Sequence, residues 1–217
     1  MDSEAQVLIK DFFNNYPLIN RKAGTKIIDA DETPTDAYFI ESGKIRQYDI
    51  GVTGSYLILN IYSKGAFFSV SWILGETKNK YYFETLTDCY YRKAPIKDVL
   101  KLLENSLVTL DLLRRISRGL DGLMLRLSTH MYGDPICKIS AELMIEAKRF
   151  ANDKSSNSRI INISVNELAA RSGLARETVS RKLKILQDKK VIIKYHSNIT
   201  IVDINSLETY IVQPINP

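Results

Sequence analysis

The chain has 217 residues, 45% of them hydrophobic, which excludes a disordered chain, and it carries a formal net charge of +5 at pH 7. No apolar run approaches the ~20 residues that span a bilayer, and the first residues lack the basic start and apolar core of a signal peptide. Because the two cysteines, Cys89 and Cys137, form no metal or redox motif, we expect a cytoplasmic protein with free thiols, no metal and no cofactor.

The first region, up to about residue 93, is rich in short β-type runs. It begins with an amphipathic stretch at residues 7–13, which Pro17 ends. The β-type runs lie at residues 26–28, 37–40, 45–50, 56–62, 81–86 and 89–91. Glycines separate many of these runs, at Gly24, Gly43, Gly51, Gly54, Gly65 and Gly75. Short strands with regular turn residues predict an antiparallel sandwich or barrel.

Aromatic residues are dense in this first region. They include Tyr56, Tyr62, Phe67, Phe68, Trp72, Tyr81, Tyr82 and Phe83. Some of them could line a site for a planar or apolar effector. Aromatic side chains more often fill the core of a β-sandwich, and this is the interpretation that we favour.

From Ile96 the pattern changes to a helical period. A heptad stripe, spaced by 3, 4, 3 and 4 positions, is formed by Leu113, Ile116, Leu120, Leu123 and Leu127. Such a stripe either packs on the chain's own β domain or pairs with a second copy of the helix, and about two heptads leave both interpretations open. Gly119 and Gly122 each weaken a helix by ~1 kcal/mol relative to Ala, which a close approach of two backbones would make tolerable.

The sequence Gly133-Asp134-Pro135 ends this helical region. Glycine suits a helix C-terminus, whereas aspartate and proline suit the first positions of the next helix. We therefore expect a domain boundary here. A further helix is predicted at residues 136–151, followed by a polar loop at residues 152–158.

The next segment has the pattern of a helix-turn-helix. Ser164 and Glu167 have the spacing of a capping box, which marks the start of a short helix. Gly173 provides the turn that follows. A second helix is predicted at residues 176–189, with three apolar residues on its inner face, Val179, Leu183 and Leu186.

A predicted hairpin and a concentration of positive charge complete this segment. Apolar runs at residues 191–195 and 199–202 are joined by His196-Ser197-Asn198, which predicts a β-hairpin wing. Residues 160–196 contain 8 Lys and Arg against 3 Asp and Glu, whereas residues 1–133 contain 17 against 16. This local excess indicates a polyanionic partner, and a solvated lysine-rich face is the alternative.

The outer face of the second helix carries groups that match base edges and phosphates. The major groove is about 12 Å wide and admits one α-helix, whose first turns meet the bases. Arginine matches the acceptors of guanine, and glutamate accepts from cytosine. We therefore expect double-stranded DNA as partner and four base contacts, from Arg176, Glu177, Ser180 and Arg181. The phosphate contacts expected from this chain include Ser164, Lys184, Lys194 and His196.

Other functions fit parts of the pattern. Glu177 and Arg181 have the spacing of a simple surface ion pair. A winged domain can also bind protein, so a protein-interaction or ligand-sensing protein is the alternative. An enzyme on a β-barrel of cupin type would need a His and carboxylate metal cluster, and the only histidines, His130 and His196, lie outside the β-rich region. We therefore expect that the protein is not an enzyme. The capping box, turn glycine, arginines and wing together favour sequence-specific DNA binding.

The segment Arg176-Glu177-Thr178-Val179-Ser180-Arg181 resembles the recognition helix of the cyclic-AMP receptor/fumarate-nitrate regulator (CRP/FNR) superfamily, and the similarity covers nearly the whole chain. The resemblance implies that the two arginines and the glutamate contact a TGTGA-like half-site, and that Thr178 and Lys184 contact phosphates. The turn Phe39-Ile40-Glu41-Ser42-Gly43 is similar to a turn of the family's β-roll. The leucine stripe resembles the family's dimerisation helix, and Asp134 falls at its hinge.

The resemblance implies an α+β fold in three parts. These are an antiparallel β-roll effector domain at residues 1–104, a dimerisation helix at residues 105–133 and a winged helix-turn-helix domain at residues 134–217. A homodimer would place two recognition helices ~34 Å apart on a palindromic operator. An effector would shift the long helix or the hinge near Asp134. The loop at residues 152–158 is a candidate contact for RNA polymerase.

The chain also departs from the family's pattern. Ala175 stands where many relatives have a serine that caps the recognition helix, so phosphate affinity would be lower. The residues at the cyclic-nucleotide site are Phe68-Ser69-Val70 and Asn79-Lys80-Tyr81, with no arginine to balance a buried phosphate. We therefore predict no tight cyclic-AMP binding. Two cysteines are too few for the iron-sulfur regulators, and His130 is not expected to bind haem. The effector stays unidentified.

Overall fold

The computed structural model describes residues 4–52, 54, 56–70, 74–75, 77–150 and 157–211. The chain divides into two compact units, Met1–Ser117 and Arg118–Pro217. The division falls within a long helix, Ser106–Tyr132. The three-part organisation, with boundaries at residues 104 and 133, stays a prediction. None of the helices in the described ranges has the length and apolar character that a bilayer crossing requires.

The first unit is built around two four-stranded antiparallel sheets. Its elements are α1 (Glu4–Asn14), β1 (Ile19–Arg21), β2 (Lys26–Ile28), β3 (Asp36–Ser42), β4 (Lys44–Ile50), β5 (Tyr56–Ser63), β6 (Phe67–Phe68), β7 (Tyr82–Thr85), β8 (Cys89–Pro95) and α2 (Ile96–Leu102). The strand order is β1-β8-β3-β6 in one sheet and β2-β7-β4-β5 in the other. The predicted antiparallel β-roll is confirmed, and the short strands β1 and β6 were not predicted.

Stacked aromatic rings join the two sheets. The rings of Phe68 and Phe83 are 5.5 Å apart, with 4° between their planes. Tyr38 and Tyr62 stack on Phe68 with ring centroids 5.2 and 4.7 Å away. Because each ring buries a large apolar area against its neighbours, this stack forms much of the core of the roll.

The aromatic residues that the sequence singled out have different environments. Phe67, Phe68 and Phe83 are buried, so the prediction that aromatic side chains fill the core is confirmed for them. Tyr56 is 42% exposed. Trp72 lies outside the described residues. The prediction therefore holds for the phenylalanines and does not extend to every tyrosine.

The predicted helical region starts at Ile96 as expected, but it consists of two helices. A second helix, α3 (Ser106–Tyr132), begins after α2. The Oδ1 of Asn105 accepts hydrogen bonds from the backbone N–H groups of Leu107, at 3.0 Å, and Val108, at 3.4 Å. Asn105 therefore caps α3.

The second unit contains the C-terminal half of α3 and the winged helix-turn-helix. Its further elements are α4 (Pro135–Phe150), β9 (Arg159–Asn162), α5 (Val165–Ser172), α6 (Arg176–Asp188), β10 (Ile192–Tyr195), β11 (Asn198–Ile201) and α7 (Ile204–Glu208). The predicted hairpin wing is confirmed, because β10 and β11 pair antiparallel. The strand β9 pairs with β11 on its other edge, and neither β9 nor α7 was predicted.

The junction between α3 and α4 forms as the sequence indicates. The N–H of Gly133 donates to the carbonyl oxygen of Thr129 at 2.9 Å, which closes the last turn of α3. The Oδ1 of Asp134 accepts from the N–H of Cys137 at 2.9 Å, and Pro135 is the first residue of α4. Aspartate and proline thus start the next helix, as predicted.

Gly43, between β3 and β4, is a point where a side chain has no room. Its φ is +92°, and a Cβ there would lie 2.4 Å from the carbonyl oxygen of Asp88 and 2.5 Å from the Sγ of Cys89. We expect Gly43→Ala to lower the free energy of unfolding by more than about 2 kcal/mol, because left-handed strain of ~1–2 kcal/mol adds to this clash. Gly24→Ala is the control, since Gly24 has φ +79° and no atom within 4 Å of an added Cβ. Urea denaturation measures both variants, and equal losses would contradict the expectation.

Candidate nucleic-acid interface

The first helix of the motif, α5, has a defined cap at each end. The Oγ of Ser164 accepts a hydrogen bond from the N–H of Glu167 at 3.1 Å, which confirms the predicted start of the helix. Gly173 adopts φ +63° after the last residue, a conformation that suits glycine. The N–H of Leu174 donates to the carbonyl oxygen of Ala169 at 3.3 Å. The predicted turn into α6 is therefore formed.

The second helix, α6, is held by one apolar face. Val179, Leu183 and Leu186 are buried, as predicted. They belong to the same core as Leu168 of α5 and Ile199 of β11. Because residues three and four apart share a helix face, burial of this face turns the intervening polar residues outward.

The outer face of α6 is polar and exposed. Its exposed residues include Arg176, Glu177, Ser180, Arg181 and Lys184. Within the described part of the chain, none of the ion pairs involves a charged residue of α6. The surface pair of Glu177 and Arg181, which would have explained this pattern without a ligand, therefore does not form. Arg181 donates instead to the Oγ1 of Thr178 at 3.4 Å.

The residues predicted to contact phosphate lie at three places in the second unit. Ser164 is exposed at the start of α5, and Thr178 is half-buried in the first turn of α6. Lys194 is half-buried on β10, and His196 is exposed in the wing turn with φ +52°. The ring of Tyr195, 72% exposed, lies 4.5 Å from that of His196. No pattern in the sequence marked Tyr195, and the phosphate contacts stay predictions.

The heptad stripe of α3 is exposed along its whole length. Its five residues, Leu113, Ile116, Leu120, Leu123 and Leu127, are between 39% and 57% exposed. Three further apolar residues widen the stripe: Leu110 is 44% exposed, and Met124 and Met131 are each 63% exposed. They were not predicted, although their separations of 14 and 7 positions repeat the heptad. The stripe is therefore not buried by the part of the chain that the structure describes.

The residues that the resemblance places at the cyclic-nucleotide site contribute to the structure of the roll itself. Phe68-Ser69-Val70 is buried, and Ser69 has φ +74°. The Oγ of Ser69 donates to the carbonyl oxygen of Asp36 at 2.7 Å. Asn79 is fully buried, and its side-chain amide donates to the carbonyl oxygen of Asp29 at 2.9 Å. These polar groups are thus used to hold turns and strands of the first unit.

The thiols and histidines form no metal centre among the described residues. Cys89 and Cys137 are buried free thiols, as predicted, and burial raises the pKa of each. His130, near the end of α3, lies beside the turn of the motif, since a Cβ on Gly173 would be 3.6 Å from its Cε1. Throughout the described ranges, no group of three or more His, Cys, Asp or Glu residues is placed to hold a metal ion.

Comparison with known proteins identifies both units. The model of the cyclic nucleotide-binding domain family matches residues 18–106, and that of the Crp-like helix-turn-helix domain family matches residues 140–210. The cAMP-activated global transcriptional regulator CRP of Haemophilus influenzae is 25% identical over 183 residues, covering 83% of this chain and 82% of that protein.

Solved structures share the fold. FixK2 from Bradyrhizobium japonicum superposes with a TM-score of 0.77 at 16% identity, over 91% of this chain and 98% of that chain. TTHA1359, a CRP/FNR-family transcriptional regulator from Thermus thermophilus, has a TM-score of 0.66 at 22% identity, over 90% and 98%. With a cyclic nucleotide-binding domain followed by a Crp-like helix-turn-helix DNA-binding domain, the chain belongs to the CRP/FNR family of transcription regulators.

Proposed function

We propose that the chain regulates transcription as a homodimer that binds a palindromic operator, with α6 as the recognition helix. The exposed outer face of α6 carries this proposal. Arg176, Glu177 and Arg181 have no ion-pair partner within the described part of the chain, so their charged groups are available to a ligand. Two guanidinium groups and one carboxylate on a rigid helix match guanine acceptors and a cytosine donor.

Base contacts would come from the first turns of α6. Ser180 lies on the same outer face and is small enough to leave both arginines access to the bases. The N-terminal end of α6 has the positive end of the helix dipole, which favours a phosphate. Thr178 and Lys184 would contact phosphates along α6, Ser164 at the start of α5, and Lys194 and His196 from the wing.

A second copy of the chain would cover the stripe of α3. Its apolar residues are exposed in a row, and exposed apolar rows of this length mark interaction surfaces. Apart from the backbone of α3 itself, a Cβ at Gly119 or Gly122 would have no atom of the described residues within 4 Å. Packing among the described residues therefore does not explain the two glycines, whereas close approach of two α3 helices would. The heptad spacing of the stripe suits a pair of packed helices.

The effector and the contact with RNA polymerase involve other parts of the chain. The relative from Haemophilus influenzae is cAMP-activated, but we do not extend this to the present chain, because Phe68 occupies the roll core and no arginine stands in Asn79-Lys80-Tyr81, the segment that resembles the family's phosphate site. The polymerase contact is proposed for the loop at residues 152–158, of which 152–156 lie outside the described residues. A protein with this DNA-binding role would act in the cytoplasm.

Arg181→Ala tests the recognition helix. On the preferred duplex, selected from a random library, the variant should lose ~1–3 kcal/mol of binding free energy and relax the base preference at one position. The loss follows from removal of a bidentate hydrogen-bonded contact to a base. Fluorescence anisotropy with matched and mismatched duplexes measures it. Lys10→Ala, which makes the same charge change on α1, is the control. An unchanged base preference after Arg181→Ala would contradict the assignment.

Lys184→Ala separates phosphate contacts from base contacts. The variant should weaken binding to all duplexes alike and should lower the slope of log K against log salt concentration by about one unit. The reason is that one fewer counterion is released on binding. Titrations at several salt concentrations give the slope. A changed base preference with an unchanged slope would place Lys184 at a base instead.

Leu120→Glu tests the dimer. A carboxylate in the middle of an apolar interface would be desolvated without a partner, so the dimer dissociation constant should rise by about two orders of magnitude or more. Ser128→Glu introduces the same charge on α3 outside the stripe and should leave dimerisation unchanged. Sedimentation equilibrium measures both variants. Equal association of the two variants would show that another surface forms the dimer.

A further inference from the structure

Five charged side chains are withdrawn from solvent inside the second unit. They are Arg126, Glu142, Glu146, Glu167 and Arg171, and their side chains are between 1% and 14% exposed. The sequence pattern marked only Glu167, as part of the capping box, and did not indicate that any of the five is buried, because charged residues on helices are ordinarily solvated. They lie away from the outer face of α6, so the proposed DNA contacts do not account for them.

The five side chains form two linked groups. Arg126 donates to both carboxylate oxygens of Glu142, at 2.6 and 2.9 Å. Arg171 donates to Glu146 at 2.7 Å and also to Glu167. Burial lowers the pKa of Arg171, but the carboxylates of Glu146, Glu167 and Glu142 more than offset this and raise the pKa above its usual value. Electrostatic interaction therefore extends from one group to the other.

The two groups connect three helices. Arg126 belongs to α3, and Glu142 and Glu146 lie one turn apart on α4. Arg171 and Glu167 belong to α5, whose first N–H groups are capped by Ser164. The Arg126–Glu142 pair spans the junction at Gly133 and Asp134, so α3 and α4 are joined by side chains as well as by the backbone. We name these five residues the charge chain.

The charge chain is not expected to add much to the free energy of unfolding. A buried ion pair loses much of its Coulomb attraction to desolvation, and well-packed apolar residues of similar volume often stabilise a fold equally well or better. A bidentate arginine–carboxylate pair does, however, permit only a narrow range of relative orientations. The charge chain therefore restricts the relative orientations of the helices that it joins.

This geometry relates the stripe to the recognition helix. Leu120, Leu123 and Leu127 belong to the part of α3 that lies in the second unit, and Arg126 lies within the same two turns. From Arg126 the charge chain leads through α4 to α5, which packs directly against α6. In a dimer formed through the stripe, this connection fixes how far apart the two α6 helices lie.

We propose that the charge chain sets the operator spacing, with Arg126, Glu142, Glu146 and Arg171 acting as positioning residues. The proposal rests on dimeric DNA binding. Each base pair inserted between half-sites moves one half-site by about 3.4 Å and rotates it by about 34°. A rigid second unit rejects such operators, whereas a second unit that pivots at the junction between α3 and α4 accepts them.

The test replaces one pair by apolar residues of similar size, Arg126→Met with Glu142→Leu. Thermal unfolding should show an unchanged or raised Tm, and binding to an isolated half-site should be unchanged. The wild-type protein should bind the selected operator about tenfold or more tightly than the same operator with one base pair inserted or removed at its centre, because a rigid dimer loses one half-site. The double variant should discriminate less than about threefold, since either half-site is then accessible.

A control pair and a second double variant accompany this test. Lys148→Gln with Glu208→Gln removes a pair of exposed residues that also involves α4, and it should keep the wild-type spacing preference. If the apolar double variant does not fold, Arg126→Gln with Glu142→Gln takes its place and should also lose spacing preference. A folded variant with wild-type spacing preference would overturn the role of the charge chain. If the wild-type protein itself shows no duplex preference, the proposed function fails instead.

Discussion

The proposed DNA-contacting surface depends on the burial of one face of a 13-residue helix, α6. Val179, Leu183 and Leu186 lie in the core that α4, α5 and the wing sheet share. Because successive residues of an α-helix are about 100° apart, their burial leaves Arg176 and Arg181 in solvent. The apolar core thus orients the charged groups before any DNA is present, and a ligand meets side chains on a rigid support.

The second unit combines this apolar core with buried charge, and the two have different physical roles. The apolar residues provide the favourable free energy of folding, whereas the charge chain restricts the angles between α3, α4 and α5. A regulator that binds through two helices at a fixed separation needs both. Apolar packing by itself would allow the helix-turn-helix to adopt several orientations relative to α3. Only some of these orientations match two successive major grooves.

The first unit combines the architecture of its family with a core of stacked aromatic side chains. It contains two four-stranded sheets, and it matches the cyclic nucleotide-binding domain family. Inside the roll, Phe68 stacks between Tyr38 and Tyr62 and against Phe83. Ser69 and Asn79 bind backbone carbonyl groups. The segments that resemble the family's nucleotide site are therefore used for packing and turns in this chain, and the absence of tight cyclic-AMP binding stays a prediction.

The sequence by itself determined what depends on neighbours a few residues apart. It predicted the caps of α5, both faces of α6, the hairpin wing and the stripe of α3, because helical and strand periods are local patterns. Only the tertiary structure decided which distant groups meet: β9 joins the wing, and Arg126 and Glu142, 16 positions apart, form a buried pair. Such pairs cannot be predicted from periodicity, since a charged residue that is buried in an ion pair and one that is solvated occupy the same kind of position in the sequence pattern.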